Sequence, residues 1–272
     1  GNLFSDLIRS QVVPMVRLTE IFRQAAKSAI VRNAHMVNAG ELPDLRRNDN
    51  DFFFLRRRDP QAAVETIVDL CRRRLPERLG IPTDQIQVLS PTRRRGTGTA
   101  ALNQALQAAL NPPAEHKGER RMGPWIFRAG DRVMQVKNNY DILWREENGS
   151  SGMGMFNGDI GVIRSVEREV VLVDFDGKLV EYTPDMLSEL EPAFAITVHK
   201  AQGSEYRAVI LAALDGVPML MTRSILYTAI TRAKGLLIVV GDEAAVAHMV
   251  ANRRQARRYS GLRARLAEGH QK

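Results

Sequence analysis

Cysteine is almost missing from this chain: one, Cys71, stands among 272 residues. A single thiol excludes an internal disulfide and any metal site built on paired cysteines, and it suits a reducing, cytosolic setting. The five histidines are scattered without metal-ligand spacing. No apolar run reaches the roughly 18 residues that span a bilayer, and no secretory leader is evident. Acid is also short, with 31 Asp and Glu against 39 Lys and Arg. The net charge of +8 and pI near 10.0 favour a polyanionic partner, most often nucleic acid, over a merely soluble basic surface. The phosphate-cradling pattern GxxxxGK[ST] is absent as well. The chain opens on Gly rather than Met, as a cut or processed fragment would.

Hydrophobic residues make up 44% of the chain, enough to build a core for one large or two modest domains. Residues 3–9 read as a short helix, 13–24 as extended chain and 25–40 as a helix stopped by Gly40. A strand at "DFFFL" precedes a helix opened by Asp59-Pro60. "IQVLSP" is a buried strand, and "TGTAALNQALQAALNP" a helix that Thr97 or Thr99 could cap. This alternation predicts an α/β fold: a mostly parallel sheet with helices on both faces.

The pattern breaks after that helix. Residues 112–124 are rich in Pro, Gly and charge and read as a linker. From Trp125 to about Leu190 the segments are short, with turn signals at Gly130-Asp131, Gly158-Asp159 and Asp176-Gly177. They predict a small β-barrel, with 145–154 as a flexible loop inside it. The α/β pattern then resumes with strand "YRAVILAAL", a helix starting near Pro218, strand "GLLIVVG" and a basic tail. The expected division is 1–120 with 193–252 as one discontinuous domain, 121–192 as the inserted barrel and 253–272 as the tail.

Four stretches carry the polar chemistry. "TVHKAQGSEY" joins the ends of two strands, where open α/β sheets bind ligands. Thr197, His199 and Lys200 offer donors to a nucleic-acid strand, Gly203 lets backbone approach a ligand, and Glu205 can accept from a ribose hydroxyl. A polar connecting loop is the plainer reading. Arg232 in "YTAITRAKG" is either an arginine finger or a helix C-terminal Arg satisfying carbonyls. Arg23, followed by Gln24, could meet a phosphate at a helix N-terminus or pair with Glu20 on the surface. Thr92 and the run Arg93–Arg95 form either a phosphate-binding turn or a plain capped one. Asp242 and Glu243 follow an apolar strand as Mg²⁺-holding carboxylates do in NTPases, but a Gly interrupts the run, so they read as a helix start.

Taken in order, "LTEIFRQAAKSAIVRNAHMVNAG", "VLSPTRRRGTGTAALNQALQAALNP", "FRAGDRVMQVKNNYD" with "MFNGDIGVI", "AFAITVHKAQGSEYRAVIL" and "LYTAITRAKGLLIVVGD" resemble blocks of the RecD-like DNA helicases of superfamily 1, the group moving 5′ to 3′ on single strands. The resemblance covers nearly the whole chain. It implies the second of two RecA-like motor domains, carrying an inserted Src-homology-3-like barrel and beginning just after helicase motif III. It further implies that Arg23 and Arg232 reach the γ-phosphate of ATP, and that Gln24, Gly203 and Glu205 lie near the nucleotide. Thr92, Arg93, Thr197, His199 and Lys200 would face single-stranded DNA. Mg²⁺ ligands and the P-loop would belong to the first motor domain, so no metal ligand is expected here and the chain alone would be inactive. Partners implied are single-stranded DNA, duplex junctions, that first domain and nuclease–helicase complex subunits, in the bacterial cytoplasm. Competing readings are a non-catalytic nucleic-acid-binding module and the helicase part of a conjugative relaxase.

Overall fold

A computed structural model describes residues 3–12, 27–48, 50–214, 216–253, 262 and 265. Arg23 and Gln24, the extended segment around them and nearly all of the basic tail lie outside the described residues. The chain runs through α1 (Leu3–Ser10), α2 (Ala29–Ala39), β1 (Phe52–Arg56), α3 (Pro60–Asp69), a π-helical turn (Leu70–Arg74), α4 (Leu75–Leu79), β2 (Ile86–Ser90) and α5 (Thr99–Leu110). Nine strands follow: β3 (Glu119–Met122), β4 (Trp125–Arg128), β5 (Arg132–Gln135), β6 (Asn139–Arg145), β7 (Ser151–Met155), β8 (Ile160–Val166), β9 (Val171–Phe175), β10 (Lys178–Tyr182) and β11 (Leu190–Pro192). The last group is β12 (Ala195–Thr197), β13 (Tyr206–Ala213), α6 (Arg223–Ile230), β14 (Ala233–Gly241) and α7 (Glu243–Ala251).

Strands β1, β14, β13, β2 and β12 pair in that order, every pair parallel. The central strands are apolar on both sides, as burial on both faces demands. Val209 and Leu211 of β13 join a core with α2, α6 and α7, while Ala208, Ile210 and Ala212 join a second core with α3 and α5. That strict alternation is the two-residue period of a strand. Local signals fix the helix ends. Asp59 caps α3 by accepting from Ala62 N at 2.8 Å, with Pro60 in the first turn. Ser28 caps α2, and the Asp51 carboxylate accepts from Ala29 N at 2.8 Å and Ile30 N at 3.2 Å, placing negative charge at the helix's positive end.

The seven-stranded antiparallel sheet, ordered β11-β5-β8-β9-β10-β6-β7, and the β3–β4 hairpin surround their own core of Phe127, Val133, Ile163, Val173 and Tyr182. This is the inserted β-barrel, placed between α5 and β12. Asp176 and Gly177, at φ 54° and 90°, make the two-residue turn joining β9 to β10.

Four local expectations need correction. The supposed linker at 112–124 contains β3, whose polar "ERRM" pairs with β4. The supposed loop at 145–154 is a loop only over 146–150; its ends are strand, with Trp144 paired to Gly152 and Arg145 to Ser151. Neither Thr97 nor Thr99 caps α5. Gly98 holds that position because an added Cβ would lie 2.3 Å from Arg94 O, so the 93–98 turn admits no side chain there. Finally, α6 starts at Arg223, not near Pro218. Thr222 caps it, and Asn252 donates to Pro218 O and Met221 O at 2.9 and 2.8 Å, holding 218–221 as a separate turn. Asp242 and Glu243 do open α7, and Glu243 pairs with Arg56.

The insert is fastened by one buried carboxylate. Asp131, 2% exposed, accepts from Asn111 Nδ2 at 2.7 Å, Gln107 Nε2 at 2.6 Å and Arg128 N at 2.8 Å. Arg128 then donates to Asn111 O at 2.6 Å and to Glu119 at 2.6 Å. Burial pushes the Asp131 carboxyl above the ordinary range, and the three hydrogen bonds oppose that shift. Asp131→Ala removes the acceptor of three N–H groups, although Gln107 and Asn111 keep their bonds to Ile126 O and Ala129 O, and is expected to cost about 3 kcal/mol in urea unfolding. Cys71 is buried against the sheet, and burial raises its thiol to about 12. The folded chain is therefore expected to resist thiol reagents at pH 8 and to react only when unfolded.

Candidate nucleic-acid and nucleotide site

The site forms where β2 and β12 end side by side. Strand β12 is at the sheet edge, and Asn103 of α5 secures it from the open side. Asn103 Nδ2 donates to Ala195 O at 2.8 Å and to Pro192 O at 3.2 Å, and its Oδ1 accepts from Ala195 N at 2.8 Å. A side-chain amide, with both donor and acceptor, can replace a missing neighbouring strand. Thr197 is thus delivered at a fixed position.

The residues after Thr197 form a tight turn with a three-residue repeat. Lys200 N and Ala201 N both donate to Thr197 O, at 2.9 and 3.2 Å. Val198 and Ala201 are fully buried in the core shared with α2 and α6, while His199 and Gln202 face solvent. Thr197 and Lys200 take the third direction, into a groove between the parallel sheet and the barrel. This groove has a volume of about 420 Å³ and is also lined by Arg93, Arg94, Trp125 and Glu191. The structure therefore brings together Arg93, Thr197 and Lys200 and leaves His199 outside the groove.

Thr92 does not line the groove. It is 2% exposed, its hydroxyl donates to Arg94 O at 3.1 Å, and its carbonyl accepts from Thr99 N at 3.0 Å. Its hydroxyl is spent shaping the arginine turn, where Arg95 sits at φ 87°. A non-glycine residue in that region stores strain of roughly 1–3 kcal/mol. Because Ala100 N is also bonded, to Arg93 O at 3.1 Å, the first amides of α5 have partners within the turn. Anion affinity here must come from the arginine side chains.

Two polar contacts cross the groove. Arg93 pairs with Glu191, and Lys200 Nζ donates to Asn157 Oδ1. Burial lowers the Lys200 ammonium below its ordinary value, with Glu191 opposing and Arg93 adding to the shift. Each contact occupies a cation with a ligand that a phosphate can replace.

Farther along, the loop meets Arg232. Arg232 Nη1 donates to Ser204 O at 2.9 Å, Nε to Thr228 O at 3.2 Å and Nη2 to Thr231 Oγ1 at 3.2 Å. Tyr206 N returns a bond to Arg232 O at 2.9 Å. Of the two readings open for Arg232, carbonyl satisfaction describes this geometry. Glu205 is exposed and pairs with Lys234 at 3.0 Å. Gly203 lies at φ 90°, and a Cβ there would meet nothing within 4 Å, so the turn itself accounts for the glycine. Among the described residues, no group of three or more His, Cys, Asp or Glu could hold a metal ion, and no helix is long and apolar enough to cross a membrane.

Sequence reasoning missed Asn103, Trp125, Glu191 and Asn157. Asn103 alone had a signal: an amide beside Leu102 and Leu106 on the buried face of a helix.

Known proteins align with both parts of this architecture. Residues 102–175 match the SH3 domain of ATP-dependent RecD-like DNA helicases, and residues 192–240 match the UvrD-like helicase C-terminal domain. The ATP-dependent RecD2 DNA helicase of Deinococcus radiodurans is 34% identical over 254 residues, covering 92% of this chain and 32% of the relative. The RecD subunit of the Mycobacterium tuberculosis RecBCD enzyme is 35% identical over 185 residues, covering 67% of this chain and 29% of the relative. A Bacteroides Pif1 helicase solved with ADP-AlF3 and single-stranded DNA aligns over 94% of this chain and 56% of its own, at 14% identity and a TM-score of 0.49. That last likeness is too distant to argue from. The chain thus spans about a third of the curated relatives it matches, and it belongs to the RecD-like helicase family.

Proposed function

We propose that this chain forms one wall of an ATP-dependent motor that moves on single-stranded DNA. The observation that carries the reading is a single loop, 197–205, with a cationic groove at one end and Arg232 hydrogen-bonded to the other. Arg93, Thr197 and Lys200 would bind the DNA backbone, the two cations exchanging Glu191 and Asn157 for phosphates. His199 would reach the strand from outside the groove, and Thr92 would act by positioning Arg93–Arg95.

The residues suit one side of a nucleotide rather than its cradle. Arg232 offers charge and Glu205 an acceptor, while Arg23 and Gln24 join them by family resemblance. The P-loop and Mg²⁺ ligands would come from a first motor domain beyond this chain. Bound ATP supplies the free energy of stepping through cleavage of its terminal phosphoanhydride. Arg232 would leave its carbonyl partners to hold charge developing on the γ-phosphate, and Ser204 would move with it. The loop would then shift Thr197 and Lys200 against the strand. Alternating grip by two domains turns that shift into a step. The likeness to a RecBCD subunit supports a nuclease–helicase complex as one setting for the motor.

A purely structural Arg232 is the second reading, favoured by each of its three guanidinium nitrogens having a protein acceptor. In an assembly containing the P-loop domain, Arg232→Ala is expected to lower DNA-stimulated ATP hydrolysis by about 10³-fold. It should also weaken an ADP–aluminium fluoride complex far more than ADP itself. Equal weakening of both would leave Arg232 as a clamp only. The 272-residue chain by itself is expected to hydrolyse no ATP yet to bind single-stranded DNA weakly, with affinity falling steeply as salt rises. Robust hydrolysis by the chain alone would contradict the one-wall reading.

A further inference from the structure

Two large aromatic rings stand exposed on the barrel beside Lys200. Tyr140 is 64% exposed and Phe156 46%, and their rings pack edge to face with centroids 5.7 Å apart. Leaving two such rings in water forgoes burial that the nearby core could provide, and their surroundings are far from loose. Asn157 N donates to Asn138 Oδ1 at 2.9 Å, and Phe156 N to Asp159 Oδ2 at 2.7 Å. Asp141 N and Ile142 N donate to Asn139 Oδ1 at 3.2 and 3.1 Å, while Asn139 Nδ2 donates to Glu189 at 3.0 Å. Gly158 N and Gln135 N complete a two-way bridge between the loops, to Gln135 O and Asp159 O, both at 2.9 Å. The rings are therefore held exposed by a rigid frame.

The frame is also tied to the groove. Asn157, next in sequence to Phe156, accepts from Lys200 Nζ. Val136 and Ile160, on the same two strand ends, pack against the core beneath the 197–205 loop. Lys137 is exposed between them and Tyr140. Aromatic faces beside fixed cations are what successive bases of a single strand need: the cations take phosphates and the rings take base faces.

We propose that Tyr140 and Phe156 form a base-stacking platform for single-stranded DNA whose backbone lies along Lys200 and Arg93. The proposal rests on the DNA-binding reading above and adds that the barrel touches bases, not only phosphates. It follows that the platform distinguishes a strand with bases from an abasic strand of equal charge.

The test compares an oligo-dT with an abasic oligomer of the same length on the 272-residue chain, by fluorescence anisotropy at fixed salt. The double variant Tyr140→Leu/Phe156→Leu keeps apolar bulk but removes both π-faces. It is expected to lose about tenfold in affinity for oligo-dT and less than twofold for the abasic strand, with Tyr140→Phe near wild type. Thermal unfolding of each variant checks the frame. Should the leucine variant melt early, the single Tyr140→Leu exchange at the more exposed ring gives the same comparison. Equal loss on both strands, or no loss, overturns the platform while leaving backbone binding intact. Failure of the wild-type chain to bind either strand overturns the DNA-binding reading, and the platform with it.

Discussion

The Asp131 carboxylate ties the inserted barrel to the parallel-sheet domain. It accepts one hydrogen bond from α5 of the sheet domain, one from the residue that ends that helix and one from the barrel backbone. An inserted domain joined by two strands of chain could swing. Three donors from both sides meet this buried acceptor, so separating the two parts would break all three bonds together. The groove has Arg93, Thr197 and Lys200 on the sheet side and Trp125 and Glu191 on the barrel side, and Arg93–Glu191 and, outside its lining, Lys200–Asn157 join the two parts there as well.

Within that fixed frame, the mobile chemistry is small and local. The cations that line the groove are held by a carboxylate and an amide, ligands that phosphate can displace without unfolding anything. Arg232 holds the far end of the same loop through a main-chain carbonyl. The loop is held at both ends by polar contacts, and Val198 and Ala201 anchor it in the core. Coupling between nucleotide and DNA would then need no long relay, since both would act on contacts of one nine-residue loop.

Much of this was legible in the residues. The apolar runs of β2, β13 and β14, and the Asp59-Pro60 start of α3, identify a parallel sheet with helices on both faces. The polar loop between β12 and β13 was visible for the same reason, as charge placed between two buried strands. Legibility failed where side chains serve unusual local needs. Gly152 reads as flexibility, but it lies against the Trp144 ring, where a Cβ would be 2.4 Å from it. The strand "ERRM" has little apolar signal because its Glu119 and Arg121 face solvent and only Met122 packs against the barrel core. Thr92 looked like a surface donor, yet its hydroxyl turns inward to build the arginine turn. Glu191 and Asn157 gave no local signal, since their partners lie 98 and 43 residues away in sequence.

We propose that the 197–205 loop couples nucleotide to DNA. Binding linkage tests it directly, because two ligands that share a coupling element must alter each other's affinity by the same factor. The measurement is the affinity of single-stranded DNA for the assembly containing the P-loop domain, with and without a non-hydrolysable ATP analogue. It is made for the wild type and for Arg232→Ala. A change of about fivefold or more is expected in the wild type and almost none in the variant, with DNA affinity in the absence of nucleotide preserved. The same nucleotide-dependent change in both proteins would contradict it.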